Sequence, residues 1–281
     1  MNTDDINAQY LPSLSVENPE KYLQNSARRS ARVRKNMQCE LGVRYGKLPR
    51  QYVDIFPAAK PDAPVHVFIH GGYWRAKHVT TAIYSHIAAP MVKAGATVVL
   101  LEYELCPDVR VTDIVEQVRD AMLWIYRRVK RYNGDNKRMF VSGHSVGGHL
   151  TAMLAATHWP NYGRYPANLI KGIAPMSGLF DIEPHRHSDL QETIRLTRKE
   201  TRELSPMYLT PTFKGSAVIA VGGGEPHLFH WQSLAYAAHL RHHRLQTEFI
   251  ATGEDNHFQI TDRLGRATDP LTKKIIAQMG L

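Results

Sequence analysis

The chain has 281 residues and a formal charge of +9 at pH 7, with 43% hydrophobic and 22% charged residues. That balance is near the soluble globular average and excludes collagen-like, low-complexity and disordered classes, while the length allows one large α/β core. Only Cys39 and Cys106 are present, which excludes a disulfide framework and a multi-cysteine zinc site, and no run reaches the ~18 apolar residues of a membrane helix.

The N-terminus is acidic and no apolar stretch follows it, so the expectation is a cytoplasmic chain without a secretory signal. Residues 1–44 read as an N-terminal arm or cap segment and 45–281 as the main domain. Within the arm, Asn18-Pro19-Glu20 predicts a helix start, with Asn18 as N-cap and Pro19 at the first helical position. The helix runs through Arg28, Arg29, Arg32, Arg34 and Lys35, read as a solvated face. No aromatic residues interleave with these charges, so no nucleic-acid partner is expected.

Gln51–Phe56 alternates polar and apolar residues and predicts a strand ending at Pro57. From residue 65 onward, short apolar runs alternate with amphipathic stretches. The predicted strands are 65–69, 96–101, 138–142, 170–174, 216–221 and 246–250; the predicted helices are 79–94, 111–132, 147–158, 190–204, 227–243 and 268–279. Nearly continuous apolar strands separated by helices imply an α/β fold, with a mostly parallel central sheet covered by helices on both faces.

Three places in this pattern carry chemistry. His70-Gly71-Gly72-Tyr73-Trp74 follows the first parallel strand, and two glycines there let backbone N–H groups approach a ligand closely. Gly143-His144-Ser145-Val146-Gly147 sits between a strand and a helix, the setting of a nucleophile elbow. Ser145 is then the nucleophile, and the oxyanion hole falls to Val146 with Gly72 or Tyr73. Glu225 and His257 follow the last two strands, at the sheet's carboxyl end where open α/β sheets place their sites. The order Ser, acid, His suits a triad in which His257 takes the serine proton and Glu225 holds the imidazole. Asp181 competes for the acid role from one strand earlier. Among the other histidines, His185, His187, His242 and His243 read as solvated. Tyr73 and Trp74 are candidate walls for an aryl group, with Trp74 as core packing the alternative. Arg75 or the arm's arginines could pair a substrate carboxylate. There is no HExxH, His185-x-His187 lacks further ligands nearby, and no phosphate-binding loop is present, so neither a metal nor a cofactor is expected.

Together these residues resemble the kynurenine formamidase (arylformamidase) branch of the α/β-hydrolases. The resemblance runs over roughly 45–260. It rests on His70–Trp74, Glu102–Pro107, Asp113–Val118, Gly143–His149, Ser177–Ile182, Gly222–Glu225 and Asn256–Phe258. It implies an α/β-hydrolase fold, a Ser145–Glu225–His257 triad, an oxyanion hole lined by Gly71, Gly72, Tyr73 and Val146, and hydrolysis of N-formylkynurenine. The partner implied is a small aromatic amide or ester substrate, with no membrane, and a homodimer is expected without a motif behind it. Val146 in place of the usual elbow alanine, Glu225 in place of the commoner aspartate, and the arginine-rich arm are departures that leave open another N-acyl aromatic amine or a short-chain ester. A non-catalytic binding module is the remaining alternative.

Overall fold

A computed structural model describes residues 2–281. Eight strands form one sheet: β1 Glu40–Arg44, β2 Tyr52–Phe56, β3 Ala63–Ile69, β4 Thr97–Leu101, β5 Gly134–His144, β6 Ile170–Met176, β7 Ser216–Gly222 and β8 Thr247–Thr252. Their spatial order is β1-β2-β4-β3-β5-β6-β7-β8. Strands β3 to β8 are parallel, and β1 and β2 close one edge in antiparallel pairing. This is the α/β-hydrolase fold.

The sheet is apolar on both faces because helices cover both. Val65, Val67, Ile69, Val99 and Leu101 face one core, shared with the helices Val111–Arg128, Val146–Ala155 and His227–His242. The alternate residues Phe68, Val98 and Leu100 face a second core, shared with Tyr84, Ile87, Met91, Leu271 and Ile275. Strand alternation thus assigns each side chain to a face, and continuous hydrophobicity follows from covering both.

Four expectations need correction. Strand β1 was not foreseen: Glu-Leu-Gly-Val-Arg is mostly exposed and irregular, with Gly42 at φ +69 inside a register shift. Residues 40–44 therefore pair with β2 at the edge of the sheet. The expected helix 190–204 is two short helices, Gln191–Ile194 and Arg198–Glu203. Arg195 breaks it in the left-handed region, and Thr197 restarts it through a capping box with Glu200. Asn18 occupies the N-cap position of Pro19–Asn36, but with φ 50 and no side-chain capping bond.

The basic run, finally, is only partly solvated. Arg28, Arg32 and Lys35 are exposed, but Arg29 pairs with Asp262 and Arg34 with the buried Asp54. Ser30 donates to the Ile83 carbonyl at 2.7 Å from the same helix. The arm is docked along its length: Ile6 and Tyr10 enter the core, and the Tyr10 hydroxyl accepts from Gln232 Nε2 at 2.8 Å. Among the described residues, no helix is long and apolar enough to cross a membrane.

Candidate active site

Strand β5 ends at His144, Ser145 turns, and the helix Val146–Ala155 begins at once. Ser145 has φ 57 and ψ −118, a conformation that side chains rarely adopt and that persists only where the surroundings enforce it. The glycines on either side show what enforces it. A Cβ on Gly143 would overlap the Gly147 carbonyl, and one on Gly147 would overlap the Ile69 carbonyl. The turn is tight enough that both flanking positions must lack a side chain. The Ser145 N–H donates to the Met176 carbonyl at 2.9 Å, which ties the elbow to β6.

The loop after β3 lies against this elbow. An added Cβ on Gly71 would sit 3.0 Å from Ser145 Cβ and 2.9 Å from the His144 carbonyl. Gly72 has φ +118, and Tyr73 and Trp74 follow at φ 55 and 56. Two consecutive aromatic residues in the left-handed region are strained, so something must anchor them. Trp74 does so: it is fully buried, edge-on to His149 and His185, and its carbonyl accepts from Cys106 N–H at 2.8 Å. The substrate-wall expectation for Trp74 is therefore corrected. Its ring is fully buried in the core, and of the two aromatics only Tyr73 lines the cleft. The Tyr73 hydroxyl accepts from the Ser13 N–H at 3.3 Å, which fixes the arm over the site. Among the described residues, the N–H groups of Gly72, Tyr73 and Val146 have no hydrogen-bond partner.

The candidate acid and base come from the loops after β7 and β8. Glu225 Oε2 lies 2.6 Å from His257 Nδ1. Its other oxygen accepts from Ser177 Oγ at 2.5 Å and from the Gly222 N–H at 2.7 Å. The carboxylate is thus fully engaged, and it requires the proton of the neutral imidazole to sit on Nδ1, leaving Nε2 as the basic nitrogen. Asp181 is elsewhere: it accepts from the Tyr208 hydroxyl at 2.7 Å and from the Glu183 N–H at 3.0 Å. The sequence did not single out Ser177 for any role; its place at the end of β6, between the strands of Ser145 and Glu225, was the available signal.

Gly71, Gly72, Tyr73, Ser145 and His257 all line one cleft of about 570 Å³. Leu23 and Glu20 of the arm helix border it, and Arg75 stands exposed at its rim with Thr193 Oγ1 as partner at 3.2 Å. A second hollow of about 700 Å³, between the arm and the loops of Glu225 and His257, meets the first at His257. Cys106 also lines the cleft, but burial pushes its thiol up to about 12, so it stays protonated and is not a second candidate nucleophile.

Behind these groups lies a layer of neutral histidines. His144 packs its ring 4.4 Å from that of His257; burial first, and then the neighbouring His257, hold it well below its ordinary value. Burial lowers His149 to about 4 and His185 to about 3. The expectation of a solvated His185 is corrected: it is enclosed by Trp74 and by Tyr10 of the arm, a contact between distant segments that the polar local sequence does not reveal. Among the described residues, no cluster of three or more His, Cys, Asp or Glu could hold a metal ion.

With this geometry in view, the chain can be set beside known proteins. The BD-FAE family matches residues 53–198. A kynurenine formamidase of Danio rerio is 27% identical across 100% of this chain and 97% of its own length. The esterase LipC of Mycobacterium tuberculosis is 33% identical over 46% of this chain and 32% of its own. A solved structure from Silicibacter sp. tm1040 superposes with a TM-score of 0.82 at 24% identity, covering 95% of each chain.

Proposed function

The chain belongs to the BD-FAE family and is a hydrolase of the α/β fold; from that premise we propose that it is a serine hydrolase of aryl amides such as N-formylkynurenine, acting through Ser145, His257 and Glu225. The observation that carries this reading is the 2.6 Å pairing of Glu225 with His257 in the same cleft as the strained Ser145.

In this mechanism His257 Nε2 takes the proton of Ser145 as its Oγ attacks the amide carbonyl. The oxyanion that forms is met by the free N–H groups of Val146 and of Gly72 or Tyr73, which stand ready without reorganisation. Val146 is the first residue of its helix, so the helix N-terminus adds a favourable field. Glu225 stabilises the imidazolium and keeps its ring oriented. His257 then passes the proton to the leaving amine, water enters, and the same groups run the second half in reverse to release the acid. Tyr73 and Phe258 offer flat apolar surface to an aryl group. Exposed Arg75 is available to a carboxylate on the substrate.

The test is steady-state hydrolysis of N-formylkynurenine beside p-nitrophenyl acetate and an N-acylanthranilate, with Ser145→Ala as control. A kcat/KM highest for formylkynurenine supports the reading. Preference for the acetate favours a short-chain carboxylesterase, a reading that the LipC similarity supports.

A further inference from the structure

The His257 ring touches more than Glu225. His257 is 4% exposed, so little water reaches it. His144, at the end of β5, sets its ring centre 4.4 Å from that of His257, with the planes 47° apart. Phe229, from the helix His227–His242, does the same at 4.7 Å and 47°. Centre separations this short bring ring faces, not only edges, into contact. Both flanking side chains are buried, and Tyr10 of the arm backs Phe229 at 5.9 Å. Among the described residues, neither ring nitrogen of His144 has a hydrogen-bond partner. A buried polar atom left unpaired works against folding, so stability does not explain an imidazole at this position. Burial, and then the neighbouring His257, keeps the His144 ring neutral.

We propose that His144 and Phe229 are positioning residues for His257, holding its ring and stabilising its imidazolium through their π faces. The charge appears only during the reaction. When His257 Nε2 takes the proton of Ser145, a cation forms in a site almost closed to water, with the Glu225 carboxylate on its other nitrogen. The face of an aromatic ring carries negative potential, and a cation within about 6 Å of its centre is attracted, more strongly where water is excluded. Both rings fall inside that range. His144 can serve because it stays neutral; a protonated neighbour would repel the imidazolium instead. The resting, uncharged imidazole gains little from the same faces. The stabilisation therefore belongs to the transition state, and it lowers the barrier without tightening substrate binding. The inference rests on the serine mechanism proposed above.

The first test is a fluorination series at Phe229. Mono-, di- and trifluorophenylalanine placed there draw electron density off the ring face in steps, with little change in shape. For the substrate turned over fastest, kcat and kcat/KM are expected to fall together, reaching about tenfold at three fluorines, with KM nearly unchanged. A flat series overturns the proposal, because a ring that only fills space is indifferent to its electrons. The second test exchanges aromatic for aliphatic side chains. His144→Leu and Phe229→Leu are each expected to lower kcat about tenfold, and His144→Phe to return it to within about threefold of wild type. Wild-type kcat in a folded His144→Leu, or a folded His144→Phe no better than His144→Leu, overturns the role of His144. If the leucine variants fail to fold, the fluorination series and His144→Phe decide. Ser145→Ala, run alongside, separates the two ideas. Activity surviving there removes the serine mechanism itself; a flat fluorination series with Ser145→Ala inactive removes only the role of the rings.

Discussion

Glu225–His257 and Glu102–His70 are the same chemical pair, a carboxylate 2.6 and 2.9 Å from an imidazole nitrogen. Their second nitrogens differ. His257 borders the cleft, and its Nε2 makes no hydrogen bond to protein among the described residues. His70 is sealed, and its second nitrogen is spent on a backbone carbonyl. A histidine with one nitrogen tied and one free can move a proton; a histidine with both tied can only hold something still. Proximity of acid and imidazole therefore does not identify a catalytic pair; the partner of the other nitrogen does.

The sharpest way to break this comparison is to remove the proton donor that His257 is proposed to serve. Ser145→Ala is expected to lower kcat by about 10⁴–10⁶-fold with an unchanged melting temperature, measured by hydrolysis and calorimetry. Glu225→Ala should cost about 10⁴-fold, since the base loses its orienting anion. Asp181→Ala should leave kcat within about threefold, its partners being Tyr208 and Glu183. A reversed ranking would move the acid to the earlier strand.

The buried neutral histidines offer a third test, in stability rather than rate. The folded-state values of His66 and His149, about 4, and of His185, about 3, lie below the ordinary 6.5 because burial disfavours the charged ring. The unfolded chain therefore binds more protons below pH 6.5, and stability falls as the pH drops from there towards 4. Denaturant titrations should find a loss on the order of 5 kcal/mol between pH 7 and pH 5. A flat profile would mean that these rings are hydrated or paired.

The two loop aromatics give the finest test. Trp74→Ala should cost about 3–5 kcal/mol of stability through the cavity it leaves. Tyr73→Ala should cost less stability than Trp74→Ala, through its arm contact to Ser13 and partial packing, and raise KM for aryl substrates by about tenfold. Equal effects from the two would contradict the split between core anchor and cleft wall.

Much of this was legible along the chain. Six parallel strands were found to within a few residues, because strands covered on both faces are apolar without interruption. The exception in length was β5, which begins at Gly134 through polar residues with no strand pattern. Strand β1 escaped for the opposite reason: an exposed, bulged edge strand has no apolar face to announce it. Thr197-x-x-Glu200 was a readable helix start inside the single helix expected over 190–204.

What the sequence determined alone was the order of the chemistry: a glycine pair after one strand, Gly-x-Ser-x-Gly after another, then an acid and a histidine at later strand ends. These are local properties, set by turn sterics and by the rule that parallel strands deliver their loops to one edge. Tertiary structure alone decided which histidines are buried, that Trp74 faces inward while Tyr73 faces out, that Ser177 braces Glu225, and that Glu102 meets His70. Those facts depend on contacts between segments tens to hundreds of residues apart, where burial and hydrogen-bond geometry, rather than residue type, fix what each side chain can do.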